Sequence, residues 1–130
     1  MGSGYRIALA GAAGIALGAI GMAAFAAQTA APPAFYVANI QDVKDTQAYT
    51  AYTAKVVDTL TPYGGRFIVR GAEPVIVDSS KKPPGYIVII QFPNMKSLHD
   101  WWDSPTYSTI RPIRERLTTG QAYAVEGLAP

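Results

Sequence analysis

Three features of this 130-residue sequence predict an α+β domain whose elements follow the order β-α-β-β-α-β. The run Tyr86-Ile-Val-Ile-Ile-Gln-Phe92 is apolar, β-branched and of strand length. Tyr49, Tyr52, Val56, Leu60 and Tyr63 recur at spacings of three and four, which is one stripe of an amphipathic helix. From Phe92 to Tyr107 the chain reads as a strand end, a capped Trp-rich helix and a Ser-Pro break into another helix.

Phe35 to Ile40 is short and rich in β-formers and is expected to be the first strand. Asp45 is placed to cap the helix that follows, because its carboxylate can accept from the free amides of the first turn. Gly64-Gly65 ends that helix, glycine being the residue that takes the left-handed cap conformation without strain. Arg66 to Arg70 and Glu73 to Val77 read as one second strand, bulged at Gly71, with Pro74 pointing to a sheet edge. Lys81-Lys82 beside Pro83-Pro84-Gly85 is a solvated loop tip, and the third strand runs from Gly85 to Phe92. Asn94 caps a helix whose apolar stripe is Met95, Leu98, Trp101 and Trp102. Ser104 and Pro105 are a favourable cap and first residue for the next helix, which Pro112 is expected to kink or restart. Gln121 to Leu128 closes the domain as a fourth strand. This element order is that of a ferredoxin-like fold.

The third strand also carries a statement about assembly. Tyr86, Val88, Ile90 and Phe92 occupy one face and Ile87 and Ile89 the other, so both faces ask for cover. Two main helices suffice for one side of a four-stranded sheet. A second copy of the chain is the simplest cover for the other side, and a homodimer is expected.

Residues 1–27 differ from the rest. After Arg6, Ile7 to Ala27 carries no charge, and Ala24-Phe25-Ala26 offers the small residues that a signal peptidase reads. Cleavage after Ala26 gives an exported, periplasmic protein. The alternative is an uncleaved N-terminal membrane anchor: 21 residues at 1.5 Å each span about 31 Å. Gly14 and Gly18 then form a close-packing motif, and residues 7–27 become the route into a membrane-protein assembly. Residues 28–34 read as a Pro-rich linker and 35–130 as the folded domain. There is no cysteine, so neither disulfides nor thiolate chemistry is available. Without the first 26 residues the charge is ten basic against nine acidic groups with no basic run, which argues against nucleic acid as a partner.

The pieces Tyr63-Gly-Gly-Arg-Phe67 with Arg70-Gly71, Phe92-Pro93, Trp101, Ser104-Pro105 with Tyr107, Arg114 and Val125-Glu126-Gly127 carry a resemblance. In order and spacing they resemble the family called domain of unknown function 1330, in the dimeric α+β-barrel superfamily. That resemblance covers about Phe35 to Leu128 and implies two ferredoxin-like subunits packed sheet against sheet. Superfamily relatives include monooxygenases, dehalogenating and isomerising enzymes, and also binding or accessory proteins. Where family members often carry Tyr-His after the first Trp, this chain has Trp102-Asp103. A family role for a histidine at that position cannot operate here.

Candidate chemistry is sparse. His99 is the only histidine, one helical turn from Asp103, and as a functional residue it would be a general base oriented by that carboxylate. Its other reading is an exposed helix residue. Arg66 and Arg70 are expected on one strand face and, with Arg114 and its neighbour Arg111, form a candidate anion site. Salt bridges to Glu73, Asp78, Glu115 or Glu126 are the alternative. Tyr36, Tyr86, Trp101, Trp102 and Tyr107 either line an aromatic pocket or pack the core. One histidine and no cysteine do not make a metal site, and no phosphate loop or other motif implies a cofactor. The site expected is therefore Arg66, Arg70, Trp101, Tyr107 and Arg114 around a small ligand, with His99 as the candidate base. A ligand-binding or accessory protein is the first reading, and a cofactor-free enzyme on a small acidic or aromatic molecule the second.

Overall fold

The computed structural model describes residues 31–81 and 85–130. The expected signal or anchor segment at 1–27 lies outside these residues, as do Lys82 to Pro84 of the loop tip. Four strands, β1 (Ala34–Val43), β2 (Arg66–Ala72), β3 (Tyr86–Phe92) and β4 (Thr118–Glu126), form one antiparallel sheet in the order β2-β3-β1-β4. Three helices join them: α1 (Thr46–Leu60), α2 (Met95–Trp102) and α3 (Pro105–Leu117). A 3₁₀ turn, Thr61–Tyr63, extends α1. This is the ferredoxin-like arrangement, and its central pair β1–β3 is legible as strands from hydrophobicity alone. No helix among the described residues is long and apolar enough to cross a membrane.

Local chemistry explains the helix ends. Asp45 accepts from the Ala48 amide at 3.0 Å and Asn94 from the Ser97 amide at 2.8 Å. Ser104 Oγ accepts from the Tyr107 amide and donates to the Trp101 carbonyl, so one hydroxyl ends α2 and starts α3. Gly64 stops the 3₁₀ turn at φ 71°, a left-handed cap that a side chain would strain.

The register assigns the two sheet faces. Tyr36, Ala38 and Ile40 of β1 pair across to Ile90, Val88 and Tyr86 of β3, and with Phe92 they make the face covered by helices. Leu60, Leu98, Trp101 and Tyr107 close the core from above. The opposite face carries Phe35, Val37, Ile87 and Ile89, all half-buried, and on β4 Tyr123 and Val125, which are 44% and 46% exposed. Among the described residues of one chain, no layer of helices lies on this apolar face.

Two expectations are corrected. β2 ends at Ala72 and does not continue through Glu73 to Val77; Val75 and Val77 stand 87% and 94% exposed. Gly71 turns the chain at φ 76°, and Pro74 has no N–H for a ladder. Pro112 does not restart its helix: α3 runs from Pro105 to Leu117 as one element. The Ser104 cap with buried Tyr107 holds one end, and Ile110 and Ile113 pack against the core on either side of Pro112.

Candidate functional site

The helices do not fill the covered face of the sheet. Between β1, β3 and α1 lies a cavity of about 570 Å3. Tyr36, Ala38 and Ile40 of β1 and Val88 and Ile90 of β3 form its floor. Tyr49, Tyr52, Thr53 and Val56 of α1 face them, Phe67 and Arg70 of β2 stand at one side, and Trp101, Tyr107 and Arg114 close the end. The walls are mostly apolar and aromatic with a few converging polar groups, the usual character of a small-molecule site.

The closed end is built around Trp101, which is fully buried. Its ring stacks on Tyr107 at 4.1 Å between centroids and meets Tyr36 edge-on at 5.6 Å and Phe92 at 5.3 Å. The indole N–H donates to Thr59 Oγ1 at 2.9 Å, and that hydroxyl donates to the Val56 carbonyl at 2.7 Å. The hydroxyls of Tyr52 and Tyr107 share a hydrogen bond of 2.8 Å. Burial, then the neighbouring Tyr107, pushes the hydroxyls of Tyr36 and Tyr52 well above the usual phenol range. Burial likewise raises Tyr49. All three are therefore neutral phenols at physiological pH, able to donate a hydrogen bond and unable to act as phenolate bases.

Arg114 is the charged member. Burial disfavours its charge, but the phenol oxygens of Tyr36, Tyr107 and Tyr52 outweigh that, and the guanidinium stays cationic. Its Nε is buried without a hydrogen-bond partner among the described residues. The ion pairs among those residues are Lys96–Asp100 at 2.7 Å and Arg111–Glu115 at 3.9 Å. Neither involves Arg66, Arg70 or Arg114, so the salt bridges that are the alternative reading of these arginines are not formed there.

Of the expected site residues, the structure brings Arg70, Trp101, Tyr107 and Arg114 to one cavity and leaves Arg66 and His99 outside its lining. Arg66 and Arg70 do not share a face. Arg66 pairs with Gln91 on the open side, but a register shift between Phe67 and Val69 brings Arg70 opposite Val88 on the helix side. Arg66 accordingly donates to Gln91 Oε1 at 2.9 Å. Arg70 lies 4.7 Å over the Phe67 ring and reaches the Thr53 carbonyl at 3.4 Å. His99 is exposed on α2; its link to Asp103 is a backbone hydrogen bond, the Asp103 amide donating to the His99 carbonyl at 3.0 Å. Arg111 is occupied elsewhere, 4.3 Å over the Trp102 ring and bonded to the Trp102 carbonyl. Tyr49 and Tyr52 line the cavity although sequence reasoning places them only on a helix stripe, and Thr59 holds Trp101 from outside the lining. The tyrosines do leave a signal: they are phenols on the buried stripe of α1, where leucine would pack without needing a polar partner.

No group of three or more His, Cys, Asp or Glu that could hold a metal ion occurs among the described residues.

Fold and cavity together define a ferredoxin-like α+β domain with a ligand-sized space between sheet and first helix. The chain belongs to the family described as domain of unknown function (DUF1330), whose model matches residues 33–128. No functionally curated protein matches it in sequence. Among solved structures, it is similar to the RPA0582 protein of unknown function from Rhodopseudomonas palustris. That likeness has a TM-score of 0.60 at 14% identity and covers 84% of this chain and 92% of the other. It is also similar to SnoaB, a cofactor-independent oxygenase from Streptomyces nogalater, with a TM-score of 0.55 at 11% identity over 77% and 97% of the two chains. At such identities these likenesses concern the fold.

Proposed function

We propose that this protein is a homodimeric small-molecule-binding domain of the exported compartment, and that its ligand occupies the cavity between β1, β3 and α1. The observation that carries the binding reading is the cavity itself. A space of about 570 Å3 falls within the roughly 300–1,000 Å3 range of ligand pockets. The enzymatic alternative has less support. His99, its candidate base, lies outside the lining; Tyr36, Tyr49 and Tyr52 are protonated; and Asp42 is the one carboxylate among the described residues that line the space. Binding without turnover is the function this lining supports best.

Export rests on the composition of residues 7–27 alone. An intact mass that begins at Ala27 would mean a free periplasmic protein; one that retains residues 1–26 in the membrane fraction would mean an anchored subunit. Dimerisation rests on the uncovered apolar sheet face.

The binding reading is tested by titrating naphthalene-sized aromatic compounds and following the tryptophan fluorescence, to which Trp101 in the lining and its neighbour Trp102 contribute. Saturable quenching is expected in the wild type. Thr53→Phe, which projects a large side chain into the space from α1, should weaken binding at least tenfold with the helical circular dichroism intact. A panel that gives no saturable binding would remove the reading.

A further inference from the structure

We infer that the ligand is a planar aromatic carboxylate bearing a single negative charge, with its carboxylate on Arg114 and its ring among Tyr36, Tyr49 and Tyr52. The inference rests on the binding reading above and adds the chemical class. Arg114 Nε is a buried donor without a partner among the described residues, and leaving such a group unsatisfied destabilises a fold. No carboxylate of those residues pairs with the guanidinium. The hydroxyls of Tyr36 and Tyr52 near it are neutral phenols, which can orient an anion but cannot neutralise a cation. An anion arriving from the cavity would supply the charge that the described residues do not, and a carboxylate matches the guanidinium fork. The Tyr52–Tyr107 hydroxyl pair stands at the same end and can donate one further hydrogen bond to the bound oxygen.

Charge counting limits the anion to one. Beyond Arg114 the space runs over Ala38, Val88 and Ile90, where a second charge would be desolvated without compensation. Arg70, the other cation of the lining, is exposed and already lies over Phe67, while Asp42 adds negative charge to the lining. Both features disfavour a dianion reaching along the cavity. Size follows from volume: at about 30 Å3 per water in the liquid, 570 Å3 holds about 19 waters, so a partly open site suits about 10–15 non-hydrogen atoms.

The test compares 2-naphthoate with its neutral isostere 2-naphthamide on the whole protein by isothermal titration calorimetry. Naphthoate should bind at least tenfold more tightly. Arg114→Gln should abolish that preference, so that the two compounds bind within about twofold of each other. Equal affinities in the wild type would overturn the inference while the binding reading stands. A preference that survives Arg114→Gln would overturn the assignment to Arg114. Should neither compound bind, the cavity reading fails and the inference fails with it. The wild-type comparison requires no variant, so a misfolded Arg114→Gln protein does not shelter the proposal.

Discussion

Thr59 shows how one hydroxyl can hold a large aromatic in place. Its Oγ1 accepts from the fully buried Trp101 indole at 2.9 Å and donates to the Val56 carbonyl at 2.7 Å. Thr59→Val keeps the shape and removes the acceptor, leaving a buried N–H that costs about 1–3 kcal/mol. Urea unfolding should show that loss, and Thr59→Ser should recover most of it. A change below about 0.5 kcal/mol would mean that the indole finds another acceptor. The contact is not legible in sequence, because Thr59 and Trp101 are 42 positions apart and share no motif. Arg66 and Arg70 illustrate a different difficulty at this scale. Alternation predicts one face for both, but the bulge between Phe67 and Val69 separates them, and a bulge without a glycine at its centre leaves little trace in composition.

Among the elements, α3 holds the clearest conflict between local preference and fold. A proline inside a helix costs about 3 kcal/mol relative to alanine, through the lost bond to the fourth preceding carbonyl and the clash of its ring. Proline returns only about 0.4–1 kcal/mol by restricting the unfolded chain. Pro112 lies exposed in an otherwise continuous helix, so burial of its own ring does not offset the cost. Pro112→Ala is expected to raise stability by about 2 kcal/mol in chemical denaturation. A fall instead would show that the proline shapes the packing of Ile110 and Ile113 on the core. The caps are legible because each depends on a short stretch: Asp45, Asn94 and Ser104 each accept from an amide three residues on. The length of β2 is not, since Glu73 to Val77 has strand composition and only Gly71 and Pro74 oppose it.

For the whole molecule, the open sheet face bears on the state of assembly. Ile89 sits near its middle, paired with Val37 of β1 and Val69 of β2, and apolar side chains on three strands surround it. The purified protein should sediment at twice the monomer mass at micromolar concentration, and Ile89→Asp should shift it to the monomer. A monomeric wild type at that concentration would exclude the dimer. The need for a cover is legible in the sequence at Ile87 and Ile89, because a strand apolar on both faces is rarely left with one face wet.

Element order, helix caps, the two-faced third strand and family membership all follow from the amino-acid order, since each is written in residues close together or in fixed succession along the chain. Packing in three dimensions settled the rest: Tyr52 meets Tyr107, Arg114 Nε is buried without an acceptor among the described residues, His99 lies outside the site, and a cavity remains beneath α1. Those facts depend on the volume left between sheet and helix after packing, and on strand register. Both are set by contacts between distant residues rather than by any local pattern.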